Sequence, residues 1–227
     1  MTARVLARVD TLEARARLSL GSSNEAIYRM VAEALAARGA RGRLVDVGCG
    51  GGAIWRATAA RFDQYCGLDA VRYDTFPADA EFHQLDLDSS DWPIADSTAD
   101  VVTAVETIEH LENPWAFVRS LTRLVKPGGW VVVTTPNQLS VLSLLTLTVK
   151  QRFSAFQDSH YPAHRTALLE SDLERIAAAA GLDDIEVRYS HRGRAPFSAW
   201  HYPPALAAMF PRALSDNLMV IARRPRG

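Results

Sequence analysis

Residues 45–53, VDVGCGGGA, decide how the rest of this sequence is read. Val45 to Val47 form a short apolar run interrupted only by Asp46, and glycines then occupy positions 48, 50, 51 and 52. Glycine lets the backbone turn sharply and brings main-chain amides close to a ligand, and a helix that starts directly afterwards aims its N-terminal amides at that ligand. Gly48, Gly50 and Ala53 satisfy the G-x-G-x-x-G/A spacing of a dinucleotide-binding turn, so an NAD(P)-dependent oxidoreductase is one reading. Asp46 favours another. It stands two residues before the first glycine, where a carboxylate repels a pyrophosphate but receives a cationic group such as an amino acid's ammonium or a sulfonium.

Outward from this turn, short Val-rich runs alternate with helix-like segments, the signature of a parallel sheet with crossover helices. RLVDV is the first strand, and a helix over IWRATAARF follows the glycines. QYCGLD and AEFHQLD, ending at Asp69 and Asp86, are the second and third strands, and ADVVTAV is the fourth. In ENPWAFVRSLTRLVKPGG, Asn113 caps a helix with Pro114 at its first position, and Lys126 to Gly129 stop it. WVVVTTP is the fifth strand. A late helix, LLESDLERIAAAAGL, ends on Gly181 as its C-cap, and DIEVRYSH and DNLMVIAR are two final strands.

The chain has 227 residues, 48% of them hydrophobic, which suffices for one large core and is short for two. A formal net charge of −1 provides no global field toward nucleic acid or an anionic membrane. The two cysteines, Cys49 and Cys66, form neither a disulfide framework nor a zinc spacing, which fits a reducing, cytoplasmic setting. Val5, Val9, Leu12 and Ala16 share one face of an N-terminal amphipathic helix, which lacks the unbroken apolar run of a signal peptide. The longest apolar stretch, Leu139 to Val149, is about half the length needed to span a bilayer; it can touch a membrane surface or cover a substrate.

Taken together, VDVGCGGG, GLDA, LDLDSSDWPIADSTADVV and LVKPGGWVVVTTPN resemble, in order, the motifs of class I S-adenosylmethionine-dependent methyltransferases. The resemblance covers about Arg43 to Asn137, plus the late helix and the final strand pair. It implies an α/β fold, a Rossmann-like doubly wound seven-stranded sheet, mostly parallel with an antiparallel last strand, and S-adenosyl-L-methionine as cofactor. It implies that Asp46, Gly48 and Gly50 hold the methionine end, that Asp69 accepts from the ribose hydroxyls, that Asp86 faces the adenine amino group and that Leu87 packs beside the ring. A single domain over 1–227 is expected, with a helical cap at 1–40, a cofactor-binding core at 41–137, and acceptor-side cap segments at 138–165 and 192–214.

After the fourth strand, VETIEHLENP places Glu106, Glu109 and His110 at the carboxyl edge of the sheet, where doubly wound folds bind ligands. A hydroxyl acceptor must lose a proton during methyl transfer, and either a divalent ion or a histidine can assist. ETIEH resembles the E-x-x-E-H of small-RNA 2′-O-methyltransferases and quinone-pathway O-methyltransferases, which implies a divalent metal (Mg, Mn or Zn) held by Glu106, Glu109, His110 and His164, with His160 as a substitute for the last. Without a metal, His110 serves as base. The segment RGRAPFSAWHYPPALAAMFPR carries Phe197, Trp200, His201, Tyr202 and Phe210, which can stack on an acceptor or pack between the last two strands. No basic surface or binding module points to RNA. The sequence thus predicts an enzyme that methylates a hydroxyl of a small metabolite, sugar or lipid-linked acceptor; an oxidoreductase and a catalytically silent binding protein are the alternatives.

Overall fold

A computed structural model describes residues 12–18, 21–89 and 91–227; Val5 and Val9 of the expected N-terminal face lie outside them. Helices α1 (Leu12–Leu18) and α2 (Glu25–Ala37) precede strand β1 (Gly42–Val47). Then come α3 (Ala53–Thr58), β2 (Phe62–Asp69), β3 (Glu81–Gln84), β4 (Ala99–Ala104), α4 (Pro114–Leu124) and β5 (Val125–Pro136). The chain continues through α5 (Val141–Lys150), α6 (Glu170–Ala179), β6 (Asp183–Tyr189), α7 (Pro204–Met209) and β7 (Asn217–Arg223). Seven strands form one sheet in the order β3-β2-β1-β4-β5-β7-β6. The pairings among β1 to β5 are parallel, and β7 runs antiparallel to both β5 and β6.

Both faces of the sheet are covered, which explains why its central strands are almost continuously apolar. Leu44, Val101, Val132, Met219 and Ile221 face α2, whose Ile27, Met30, Val31, Ala34 and Leu35 recur at helical spacing. Val45, Val102, Val131, Val133 and Val220 face the other way, against Phe117, Val118 and Leu121 of α4 and Leu173 and Ile176 of α6. Asn113 caps α4 by accepting from the Ala116 amide at 3.0 Å, with Pro114 in the first turn, and Gly181 follows α6 in the left-handed region.

The start of β5 and the end of β3 differ from the sequence reading. Lys126 to Gly129 do not end in a loop: β5 begins at Val125, and Gly128 and Gly129 exchange main-chain hydrogen bonds with Arg224. β3 stops at Gln84, so Asp86 lies in a turn, where its Oδ1 accepts from the Asp88 amide at 3.0 Å. The apolar stretch from Leu139 forms α5, an inverted helix whose one fully buried side chain is Ser143, while Val141, Leu144 and Val149 are exposed. Among the described residues no helix is long and apolar enough to cross a membrane.

Candidate active site

A cavity of about 230 Å³ opens along the carboxyl ends of β1, β2 and β4. Every residue expected to hold the cofactor lines it: Asp46, Gly48, Gly50, Asp69, Asp86 and Leu87. At Gly48, φ is +74° and an added Cβ would stand 2.2 Å from Thr107 Oγ1; at Gly50, φ is +48° and a Cβ would stand 2.1 Å from the Gly21 carbonyl oxygen. The turn therefore needs glycine at both places for conformation and for space. The Gly50 amide donates to Asp69 Oδ2 at 2.8 Å, which joins the glycine turn to the end of β2.

Asp46 is 2% exposed and accepts from the hydroxyls of Tyr65 and Thr103, both at 2.9 Å. Those donors are neutral, so they orient the carboxylate without cancelling its charge. Burial pushes its pKa up to about 7, because a carboxylate taken out of water with only neutral donors around it is disfavoured. Asp69 is shifted upward as well, chiefly by burial, against the pull of main-chain amides from Gly50 and Val71.

The same cavity is lined by Glu106, Glu109, His110, Ala163 and His164. Main-chain bonds stitch the two segments together: the Glu109 carbonyl accepts from the amides of Arg165 and Thr166 at 2.8 and 3.0 Å. Ligating atoms of Glu109, His110 and His164 lie within 4.8 Å of one another. His110 Nδ1 donates to the Ala163 carbonyl at 2.9 Å, and His164 Nδ1 to the Ala155 carbonyl at 2.7 Å, which leaves each Nε2 as the nitrogen with a lone pair. Burial lowers the pKa of His110. It also lowers that of His164, to about 4, with help from neighbouring His110. Both rings are thus held neutral, the form that binds a metal or accepts a proton. Glu109, 1% exposed, is pushed up to about 8 by burial. Two oriented imidazole lone pairs and a buried carboxylate fit a divalent cation, with main-chain carbonyls fixing the tautomers as is usual for histidine ligands.

Two members of the expected set stand apart from this trio. Glu106 has its carboxylate engaged by Thr134 and Asn217, and His160 stacks on His164 at 5.5 Å, on the outer side. A second cluster, Cys66, Glu81 and His83, already has a cation, since Arg43 pairs with Glu81 at 2.8 Å.

The structure also adds residues that sequence did not single out. Ala16, Ser22, Ser23 and Tyr28 form a wall, with the Tyr28 hydroxyl accepting from the Ser23 amide at 2.8 Å. This wall is fastened to the glycine turn by a Gly51 amide to Gly21 carbonyl bond of 2.9 Å. Tyr28 left no signal because its neighbours Ile27 and Met30 make α2 read as an ordinary core helix. The pair Thr134-Thr135, two hydroxyls ending an otherwise apolar strand, was a signal available in VVVTTP. No residue of 192–214 lines the cavity, and Phe197 and Trp200 are 92% and 79% exposed, so these rings do not pack between the last two strands.

Comparisons with known proteins agree with this geometry. A ubiquinone biosynthesis O-methyltransferase from Chromobacterium violaceum is 31% identical over 150 residues, 62% of this chain and 64% of that protein. The chain thus matches slightly less than two thirds of that relative. Among solved structures, a SAM-dependent methyltransferase from Archaeoglobus fulgidus superposes with a TM-score of 0.60 at 15% identity, over 87% of this chain and 94% of that one. The YcgJ protein from Bacillus subtilis does so with a TM-score of 0.61 at 14% identity, over 90% and 100%. The family model described as "Methyltransferase domain" matches residues 21–187, which takes in the glycine turn, the acidic strand end and the Glu109–His110–His164 cluster. The chain belongs to this methyltransferase-domain family and has the fold of the S-adenosylmethionine-dependent methyltransferase it superposes on.

Proposed function

We propose that this protein transfers the methyl group of S-adenosyl-L-methionine to a hydroxyl of a small or lipid-linked acceptor. The observation that carries this reading is the Glu109–His110–His164 trio in the cavity that Asp46, Gly48, Gly50 and Asp69 also line. The bound donor supplies a methyl group already activated by its sulfonium, so that as the O–CH3 bond forms and the S–CH3 bond breaks, the electron pair returns to sulfur and the acceptor's proton must be removed. Asp46 receives the donor's cationic end, Asp69 takes up the ribose hydroxyls, Asp86 meets the adenine amino group and Leu87 packs on its ring. The remaining task of the protein is to align the acceptor oxygen and to take its proton.

Glu109, His110 and His164 would hold a divalent cation, Mg, Mn or Zn, whose charge lowers the pKa of a hydroxyl beside it. His110 Nε2 is the proton acceptor in the absence of an ion; its neutral state and fixed tautomer favour that second role. The relative's role in ubiquinone biosynthesis supports an acceptor that combines a hydroxylated ring with an apolar tail. The exposed apolar face of α5, with Val141, Leu144 and Val149, supports the same choice and would allow contact with a membrane surface.

Calorimetry with S-adenosylhomocysteine and NADH, followed by incubation with radiolabelled donor and hydroxylated acceptors with and without chelator, tests the proposal. We expect nucleoside binding, label incorporated into oxygen, and loss of turnover on chelation. Binding of NADH alone would return the oxidoreductase reading, and donor binding without label in any product would favour a catalytically silent protein.

A further inference from the structure

Glu106 is the acid of the E-x-x-E-H segment that stays outside the metal-ligand trio, and the reason lies in two strands remote from it in sequence. Its φ is +51°, a left-handed conformation that residues with side chains seldom adopt. Its amide donates to Thr134 Oγ1 at 2.9 Å, and the same hydroxyl donates to Glu106 Oε1 at 2.9 Å. Asn217 Nδ2 donates to Glu106 Oε2 at 2.7 Å. Both carboxylate oxygens are therefore directed by side chains of β5 and β7.

Asn217 is itself fixed at the start of β7, where it pairs with Pro136 and its carbonyl accepts from the Ser190 amide at 3.1 Å. Glu106 lines the cavity together with Asp46 and Tyr28. The chemistry of the clamp is specific. A lysine or arginine at 217 would orient Glu106 but cancel its charge, whereas an amide and a hydroxyl orient it and leave the charge to attract a cation.

We propose that Asn217, acting with Thr134, is a positioning residue that holds the Glu106 carboxyl group in the wall of the cavity it shares with Asp46, as a second acidic group for the cationic methionine end of the donor. The proposal rests on the donor-site reading given above. Asn217→Leu removes the amide that donates to Glu106 Oε2, and Asn217→Ala, which brings neither a donor nor a charge to that carboxylate, serves where the leucine variant does not fold.

The readout is the dissociation constant of S-adenosyl-L-methionine, measured by calorimetry in the presence of chelator on protein whose thermal melt shows it folded. Asn217→Leu is expected to weaken binding about tenfold, in line with loss of a charge-assisted hydrogen bond. Glu106→Gln is expected to do the same, and adding Asn217→Leu to Glu106→Gln is expected to change nothing further. An equal loss from Asn217→Leu with and without the Glu106 charge would make Asn217 merely structural and overturn the proposal. So would unchanged affinity in either single variant. Failure of the unaltered protein to bind the donor overturns the donor-site reading first, and the proposal with it, and is thereby distinguished from failure of the positioning alone.

Discussion

The rings of His110 and His164 meet edge to face with their centres 4.8 Å apart, and each has its Nδ1 tied to a main-chain carbonyl. A pair so anchored presents two Nε2 lone pairs without rotamer searching. Alanine at His164 or glutamine at Glu109 is therefore expected to weaken Mn²⁺ binding by ~10-fold or more, read as free ion by electron paramagnetic resonance. Full turnover in the presence of chelator, unaffected by either substitution, would leave His110 alone as the proton acceptor.

Asp69 joins the glycine turn to the second strand while its carboxylate faces the cavity. On the proposed reading Asp69→Ala removes the acceptors for two ribose hydroxyls, and it also frees the Gly50 amide. Affinity for S-adenosylhomocysteine should fall by ~10- to 100-fold, on the scale of hydrogen bonds to a charged group. Calorimetry measures it, and an unchanged constant would remove Asp69 from the donor site.

Gly48→Ala should destabilise the fold by ~2 kcal/mol or more, because it adds both a left-handed alanine and a Cβ 2.2 Å from Thr107 Oγ1. Adding Thr107→Ala relieves the crowding but not the φ of +74°, so only part of the loss should return. Denaturant titrations of the two variants separate these causes.

Asp46 gives stability a pH dependence of definite sign. Its pKa is raised by burial from 3.8 to about 7, so between those values the folded state binds more protons than the unfolded one. The stability tied to its protonated form is complete below the unfolded value and is lost as pH rises through the folded one. Asp46→Asn should therefore stabilise the ligand-free protein at pH 8 relative to its effect at pH 4, by ~1–3 kcal/mol. The test is a pair of denaturant titrations at the two pH values; an equal effect at both would show that Asp46 is not held protonated by its surroundings.

The sheet and the glycine-turn side of the cavity were legible because their signals are local. Strand, glycine turn and acidic strand end are each written within a few residues, and the Val-rich runs mark strands buried on both faces. Asn113 and Pro114, in the same way, announce α4 by the chemistry of its first turn. What escaped was set by contacts between distant segments. The resemblance to E-x-x-E-H enzymes implies that Glu106 is a ligand, and only its contact with Asn217, 111 residues away, shows where the carboxylate is held. Lys126-Pro127-Gly128-Gly129 has the composition of a turn, yet pairing with the strand that ends in Arg223 carries it into β5. For the 192–214 segment, aromatic content left stacking on an acceptor and packing between strands equally open, and nothing local says that Phe197 and Trp200 stay exposed.

The position of β7 has a consequence for how the protein is made. It follows β6 in sequence but lies between β5 and β6 in the sheet, and it carries Asn217. As the nascent chain emerges, β6 has no neighbour to pair with until the residues from Asn217 onward arrive, and Glu106 has no amide donor. A core with a donor-binding turn can thus form during synthesis, since domains fold from the N-terminal side as they emerge. The Glu106 carboxyl group gains its second side-chain donor only when the residues from Asn217 onward have paired with β5.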